Sequence, residues 1–222
     1  MQIKLVATVI AATLTLPLMY YLEIFVAKDN PHIPADIDFL LYINIVCLIV
    51  LFVFEIKTMS TSQTKSKSSD RGFLSALITI AAVIYMPVLD RYSWQVFSTG
   101  SNYKFYYAAG LTLFGLGVII RKSAATRLGE YFTHELRVTP GQKVIDKGLY
   151  RFIRHPAYLG TLLLVLGISW MFLSNIGLLL MFPMMILALY RIKNEEKMLK
   201  AHLGLEYQEY ILKTKKLIPF IL

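Results

Sequence analysis

Charge is scarce in this chain. Asp, Glu, Lys and Arg make up 17% of its 222 residues, against 56% hydrophobic residues and a mean hydropathy of +0.57. A soluble domain of this length carries more charge and shorter apolar runs, so the composition points to an integral membrane protein. Cysteine is nearly absent as well. The single Cys47 excludes an intramolecular disulfide, and its apolar surroundings offer no polar neighbour to activate a thiol. Acidic residues number 14 against 23 Lys and Arg, a net charge of +9 that would suggest nucleic acid in a soluble chain. Here the basic residues cluster at the ends of apolar segments, where they face anionic lipid and set orientation, and no nucleic-acid partner is expected.

The apolar runs divide the chain into six expected spans. The first covers about residues 3–27, too long for a signal-peptide core and kinked near Pro17, with Glu23 near its far end. The second, residues 39–54, is bounded by Asp36 and Asp38 on one side and by Glu55 and Lys57 on the other. A low-complexity loop, "TMSTSQTKSKSSDRG", separates it from a third span at about residues 73–89. The fourth, about residues 103–120, holds Gly110 and Gly117 seven positions apart, a spacing that lets another helix approach closely. Residues 121–154 are polar and basic, but "LGEYFTHEL" interleaves Leu128, Tyr131, Phe132 and Leu136 with polar residues, as an interfacial element would. Two more spans follow at about residues 157–173 and 176–190, with only "SNIG" between them.

With the amino terminus in the cytoplasm, six spans place twenty Lys and Arg on the cytoplasmic side. The other side receives three, Lys28, Arg91 and Lys104. An odd number of spans would send the basic tail outside, so the positive-inside rule favours a six-helix all-α membrane protein with both termini cytoplasmic.

In the last hairpin, residues 155–173 form a leg of about 27 Å and residues 176–195 a return leg of about 28 Å. Matched legs bring "YRIKNEEKML" back to the depth of "RFIRHPAY", so Arg151, Arg154, His155, Arg191 and Glu195 can converge at one cytoplasmic mouth. Arg191 and Glu195 share a helix face. Pro156 suits the first turn of a helix, and His155 before it sits where unpaired backbone donors and the helix dipole favour an anionic group. Local physics leaves two readings open, headgroup anchors with an interfacial cap or a ligand site. Convergence on one mouth favours the site.

"LGEYFTHELRV", "KVIDKGLYRFIRHPAYLG" and "RIKNEEKMLKAHLGLEYQEY", followed by "LIPF", resemble the isoprenylcysteine carboxyl methyltransferase family of integral membrane enzymes. The likeness covers about the last hundred residues, in order and at compatible spacing. It divides the chain into residues 1–120, four helices with no assignable motif, and residues 121–222, a methyltransferase-like region. The resemblance implies a multispan core that uses S-adenosylmethionine in a cytoplasm-facing pocket, with a lipophilic methyl acceptor entering from the bilayer. It also implies cofactor contacts from His155, Pro156, Ala157 and Tyr158, from Tyr150, and from Glu195. Gln142, Lys143, Val144 and Ile145 align with a further cofactor-binding loop, although "QKVI" departs from the family's usual His-x-Leu-Val. His134 falls near a polar cofactor contact, and Arg191 matches a substrate-contacting arginine with a role in catalysis. A zwitterionic cofactor needs a carboxylate acceptor, donors at a helix N-terminus and flat aromatic surface, which Glu195, His155 and the two tyrosines supply. Three other readings compete: a phospholipid or amine methyltransferase, a sterol-type reductase using NADPH, and a non-enzymatic, membrane-structural role. No extra basic cluster is present for the 2′-phosphate that the reductase reading requires.

Overall fold

The computed structural model describes residues 103–132 and 138–218. The first three expected spans, the Ser-rich loop and His134 lie outside the described residues. Four α-helices account for most of what is described: α1 (Tyr103–Leu128), α2 (Pro156–Met171), α3 (Asn175–Leu203) and α4 (Leu205–Lys213). Among the described residues there is no strand, and the one isolated bridge pairs Ile153 with Lys215. The all-helical expectation holds.

Two helical stretches, Lys104–Tyr131 and Asn175–Leu203, are long and apolar enough to cross a membrane, and Pro156–Met171 is a shorter apolar helix. Two of these outrun their expected ends. α1 continues past Ile120 to Leu128 and tightens into a 3-10 turn at Gly129–Tyr131. Arg121, Lys122 and Arg127 therefore ride on the same helix as the span before them. α3 continues past Tyr190 to Leu203, and its 29 residues make a rod of about 43 Å, longer than a hydrocarbon core of about 30 Å. Its last three turns stand clear of the apolar stretch.

α1 and α2 pack antiparallel through four glycines. A Cβ on Gly110 would lie 2.8 Å from the Gly167 carbonyl oxygen, and one on Gly117 would lie 2.8 Å from that of Gly160. The spacing of seven, two helical turns, occurs on both helices, so their backbones meet directly at two levels. One turn beyond the second level, Arg121 Nη1 donates to Thr161 Oγ1 at 2.8 Å and closes the polar end of the seam.

The turn into α3 is built from backbone bonds. Leu173 adopts φ 53°, its N–H reaches the Trp170 carbonyl, and the Ser174 N–H reaches Ser169. This is a Schellman closure with leucine where glycine is usual. Ser174 then caps α3, its hydroxyl accepting from the Gly177 N–H at 2.9 Å. At the other end Gly204 breaks the helix, and α4 folds back along the last turns of α3. Leu199, Tyr207 and Tyr210 form the buried seam there, with Val144, Leu203 and Ile211 against them. The chain is thus returned to the start of α2, where residues 214–217 run beside residues 152–155.

Candidate active site at the mouth of the last hairpin

Pro156 takes the first position of α2 and His155 its N-cap, as the sequence suggests, but the His155 side chain does not cap. Its ring is buried. Nε2 lies 3.3 Å from Glu196 Oε1, and the ring meets Tyr158 edge-on with centroids 5.7 Å apart. The same Glu196 oxygen accepts from Arg154 Nε at 2.8 Å. Glu196 thus joins two consecutive residues of the loop before α2 to the middle of the exposed end of α3.

Glu195, one residue earlier, points to a different set of partners. Its Oε2 accepts the Tyr158 hydroxyl at 3.0 Å, and Arg191 hydrogen-bonds to the same tyrosine. Adjacent residues on a helix are separated by about 100°, so the two glutamates divide between two faces. Glu196 follows the apolar stripe of Ile192 and Leu199, both buried, whereas Glu195 follows Arg191 along the half-buried face.

Glu196 was missed by sequence reasoning. Its position four residues after Ile192 and three before Leu199 was the available signal, since a carboxylate on an apolar stripe needs a buried cationic partner. Of the two arginines expected at the mouth, Arg154 joins the cluster: besides Glu196 it donates through Nη1 to the Ile211 carbonyl at 3.2 Å and to the carbonyl and hydroxyl of Thr214. Arg151 does not. It is exposed, with its guanidinium 5.9 Å from the Phe152 ring centroid.

Tyr150 sits in a 3-10 turn, Gly148–Arg151, and is buried. Its hydroxyl reaches the Ala124 carbonyl of α1 at 3.4 Å, and its own carbonyl accepts the Tyr210 hydroxyl at 2.7 Å. Burial pushes both hydroxyls well above the usual tyrosine pKa, with the Glu195 charge adding to the effect at Tyr150. They are fixed donors. In the preceding loop Gln142 closes its own turn, its Oε1 accepting the Thr139 N–H at 3.0 Å, while Lys143 is exposed and Val144 packs against the seam of Tyr207 and Tyr210. Ile145 is half-buried, and the half-buried Ala157 uses its carbonyl to accept from Thr161.

The arrangement therefore has a rigid side and an available side. Arg154, His155 and Glu196 satisfy one another. Across the α2 N-terminus, Glu195 retains acceptor capacity on its half-buried carboxylate and Tyr158 offers an aromatic face, while the Tyr158 and Leu159 N–H groups close on the His155 carbonyl and leave the Ala157 N–H as the donor of the first turn. A ligand carrying an ammonium or hydroxyl donor, a carboxylate and a flat ring fits this set, and S-adenosylmethionine has all three.

These features define a helical membrane protein with a polar site where two helices of one hairpin return to a common face. Residues 110–201 match the model of the isoprenylcysteine carboxyl methyltransferase (ICMT) family. The chain is 31% identical over 152 residues to protein-S-isoprenylcysteine O-methyltransferase B of Arabidopsis thaliana, covering 67% of this chain and 71% of that protein. A Schizosaccharomyces pombe protein-S-isoprenylcysteine O-methyltransferase is 29% identical over 154 residues, 68% of this chain and 64% of its own length. Among solved structures, the eukaryotic intramembrane Ras methyltransferase ICMT superposes with a TM-score of 0.61 at 22% identity, over 98% of this chain and 86% of that one. The chain belongs to the isoprenylcysteine carboxyl methyltransferase family, and it is an integral membrane methyltransferase.

Proposed function

We propose that this protein uses S-adenosylmethionine to methylate the carboxylate of a prenylcysteine-type acceptor, at a mouth that faces the cytoplasm together with both chain termini. The observation that carries the reading is the triangle of Tyr158, Glu195 and Arg191, which puts a carboxylate, a guanidinium and an aromatic hydroxyl beside one helix N-terminus. Residues 121–222 hold this machinery.

When bound, the cofactor supplies an electrophilic methyl: the acceptor oxygen bonds to it as the sulfur–carbon bond breaks, and the electron pair remains on sulfur. The acceptor's pKa of about 3.5 leaves it ionised at neutral pH, so the protein needs no general base. Glu195 binds the cofactor's donor groups, and Tyr158 orients both that carboxylate and Arg191. The first turn of α2 receives the cofactor carboxylate, and His155, held by Glu196, fixes the start of that turn. Tyr150 with Gln142, Lys143, Val144, Ile145, Pro156 and Ala157 forms the surrounding wall. Arg191 holds the acceptor carboxylate in line, and positioning of this kind is the main source of rate when the nucleophile is already charged. Half-burial of the triangle reduces its exposure to bulk water, which strengthens the ionic contacts.

The experiment is methyl transfer from radiolabelled S-adenosylmethionine to a panel of prenylcysteine, fatty-acid and amino-lipid acceptors, using protein purified in detergent. Ester formation on the prenylcysteine supports the reading. Transfer confined to amino-lipids, or binding of NADPH in place of S-adenosylmethionine, overturns it.

A further inference from the structure

The C-terminal end of the described chain is built into the site beside the start of α2. The Arg154 N–H donates to the Lys215 carbonyl at 2.8 Å, the His155 N–H to the Lys216 carbonyl at 3.1 Å, and the Lys215 N–H to the Phe152 carbonyl at 2.9 Å. Three bonds within so short a stretch make a parallel pairing centred on Ile153 and Lys215. Leu217 follows it, fully buried among Leu162 of α2 and Ile192 of α3, with Tyr158, Leu159 and Met185 against the same cluster. Thr214, ahead of it, is held by Arg154 and donates its own hydroxyl to the Tyr210 carbonyl at 2.6 Å.

The parts touched are informative. The two amides held by the tail belong to Arg154 and His155, the residues that Glu196 holds by their side chains. Leu217 packs beside Tyr158, whose hydroxyl engages Glu195. A loop that must start α2 at a fixed angle is thus held twice, through its side chains by a carboxylate of α3 and through its amides by the backbone of the tail.

We propose that residues 214–217 are a positioning strap for the cofactor site. Through the backbone of Arg154 and His155 and the wedge of Leu217, the strap sets where the first turn of α2, Tyr158 and Glu195 meet the cofactor without itself touching it. This rests on the reading of the site as an S-adenosylmethionine site, and the Arg154 guanidinium, spread over Glu196, Ile211 and Thr214, acts with the strap as a positioning group.

The test uses the full chain in detergent. Hydrogen exchange is read at the Arg154 and His155 amides, and S-adenosylmethionine affinity is measured by calorimetry. In Leu217→Asp, exchange at those two amides should rise at least tenfold and affinity should fall at least tenfold, while the α1 amides keep their protection. Leu217→Met should restore both to near wild-type values. If Leu217→Asp also opens α1, the graded pair Leu217→Ala and Leu217→Met decides: affinity must then track the exchange rate of the two amides. Unchanged exchange in Leu217→Asp, or faster exchange with unchanged affinity, overturns the strap. A wild-type protein that binds no S-adenosylmethionine removes the functional reading instead, and the exchange arm still decides whether the tail holds Arg154 and His155.

Discussion

Gly117 and Gly160 face each other across the seam of α1 and α2, each so near that an added Cβ would fall within 2.9 Å of the other's carbonyl oxygen. The atoms in the way are backbone, so no rotamer change relieves the clash. Gly117→Ala must separate the helices, at a cost of about 1–3 kcal/mol from overpacking. Gly115 on the same helix is the control, because a Cβ there meets nothing within 4 Å. Thermal unfolding in detergent should show a lower midpoint for Gly117→Ala and an unchanged or slightly higher one for Gly115→Ala.

Adjacent glutamates should separate stability from binding. Glu196→Ala leaves Arg154, whose side chain is 8% exposed, without its carboxylate, and removal of one partner from a buried pair costs about 3–5 kcal/mol. Glu195→Gln keeps an acceptor for the Tyr158 hydroxyl but removes the charge that would meet the cofactor. Its unfolding midpoint should stay near wild type while S-adenosylmethionine affinity falls more than about tenfold by calorimetry. Equal effects of the two substitutions on affinity, with equal stability, would place Glu196 in direct contact with the cofactor.

The contrast between these two residues also marks how far the sequence could be read. Matched hairpin legs, Pro156 at the start of α2, the common face of Arg191 and Glu195, and the close approach at Gly110 and Gly117 all follow from periodicity and local chemistry. Glu196 and the strap do not. The strap is a three-bond pairing between segments some sixty positions apart, too short to leave a period-two pattern, and Leu217 in a lysine-rich tail gives no local sign that it is buried. The further partners of Arg154 were hidden for a different reason, since Ile211 and Thr214 offer it mainly backbone carbonyls, which every residue has. The extensions of α1 and α3 were hidden because membrane spans are recognised by hydropathy, and hydropathy ends before the helix does.

Tyr150 and Tyr210 predict an alkaline limit to stability. Burial raises their folded pKa values above the ordinary tyrosine value of about 10, whereas the unfolded chain ionises near 10. Above that pH the unfolded state binds fewer protons than the folded state, so stability is intact below about pH 10 and is lost progressively above it. Tyr210→Phe should flatten this decline. It should also lower stability at pH 7 by about 1–2 kcal/mol, since the Tyr150 carbonyl loses the donor 2.7 Å away. Denaturant titrations at pH 7 and pH 10.5 measure both effects.

Arg191 provides the sharpest division between a substrate-holding group and a structural one. It hydrogen-bonds to Tyr158, the same tyrosine that donates to Glu195, so a purely local role would be to complete that small network. Lysine at this position preserves the charge and can still reach a single oxygen, but it lacks the planar pair of donors that holds a carboxylate in one orientation. If Arg191 aligns an anionic acceptor, single-turnover methyl transfer at saturating cofactor should fall at least tenfold in Arg191→Lys, with cofactor affinity changed by less than about threefold. If it serves only the network, lysine should give near wild-type rates. A loss of affinity matching the loss of rate would move Arg191 into the cofactor pocket. The preference for a carboxylate acceptor over a neutral or cationic one would then lose its residue-level support, because no other cation of the cluster stands on the side of Tyr158 and Glu195: Arg154 is committed to Glu196 and the tail, and Arg151 lies outward over Phe152.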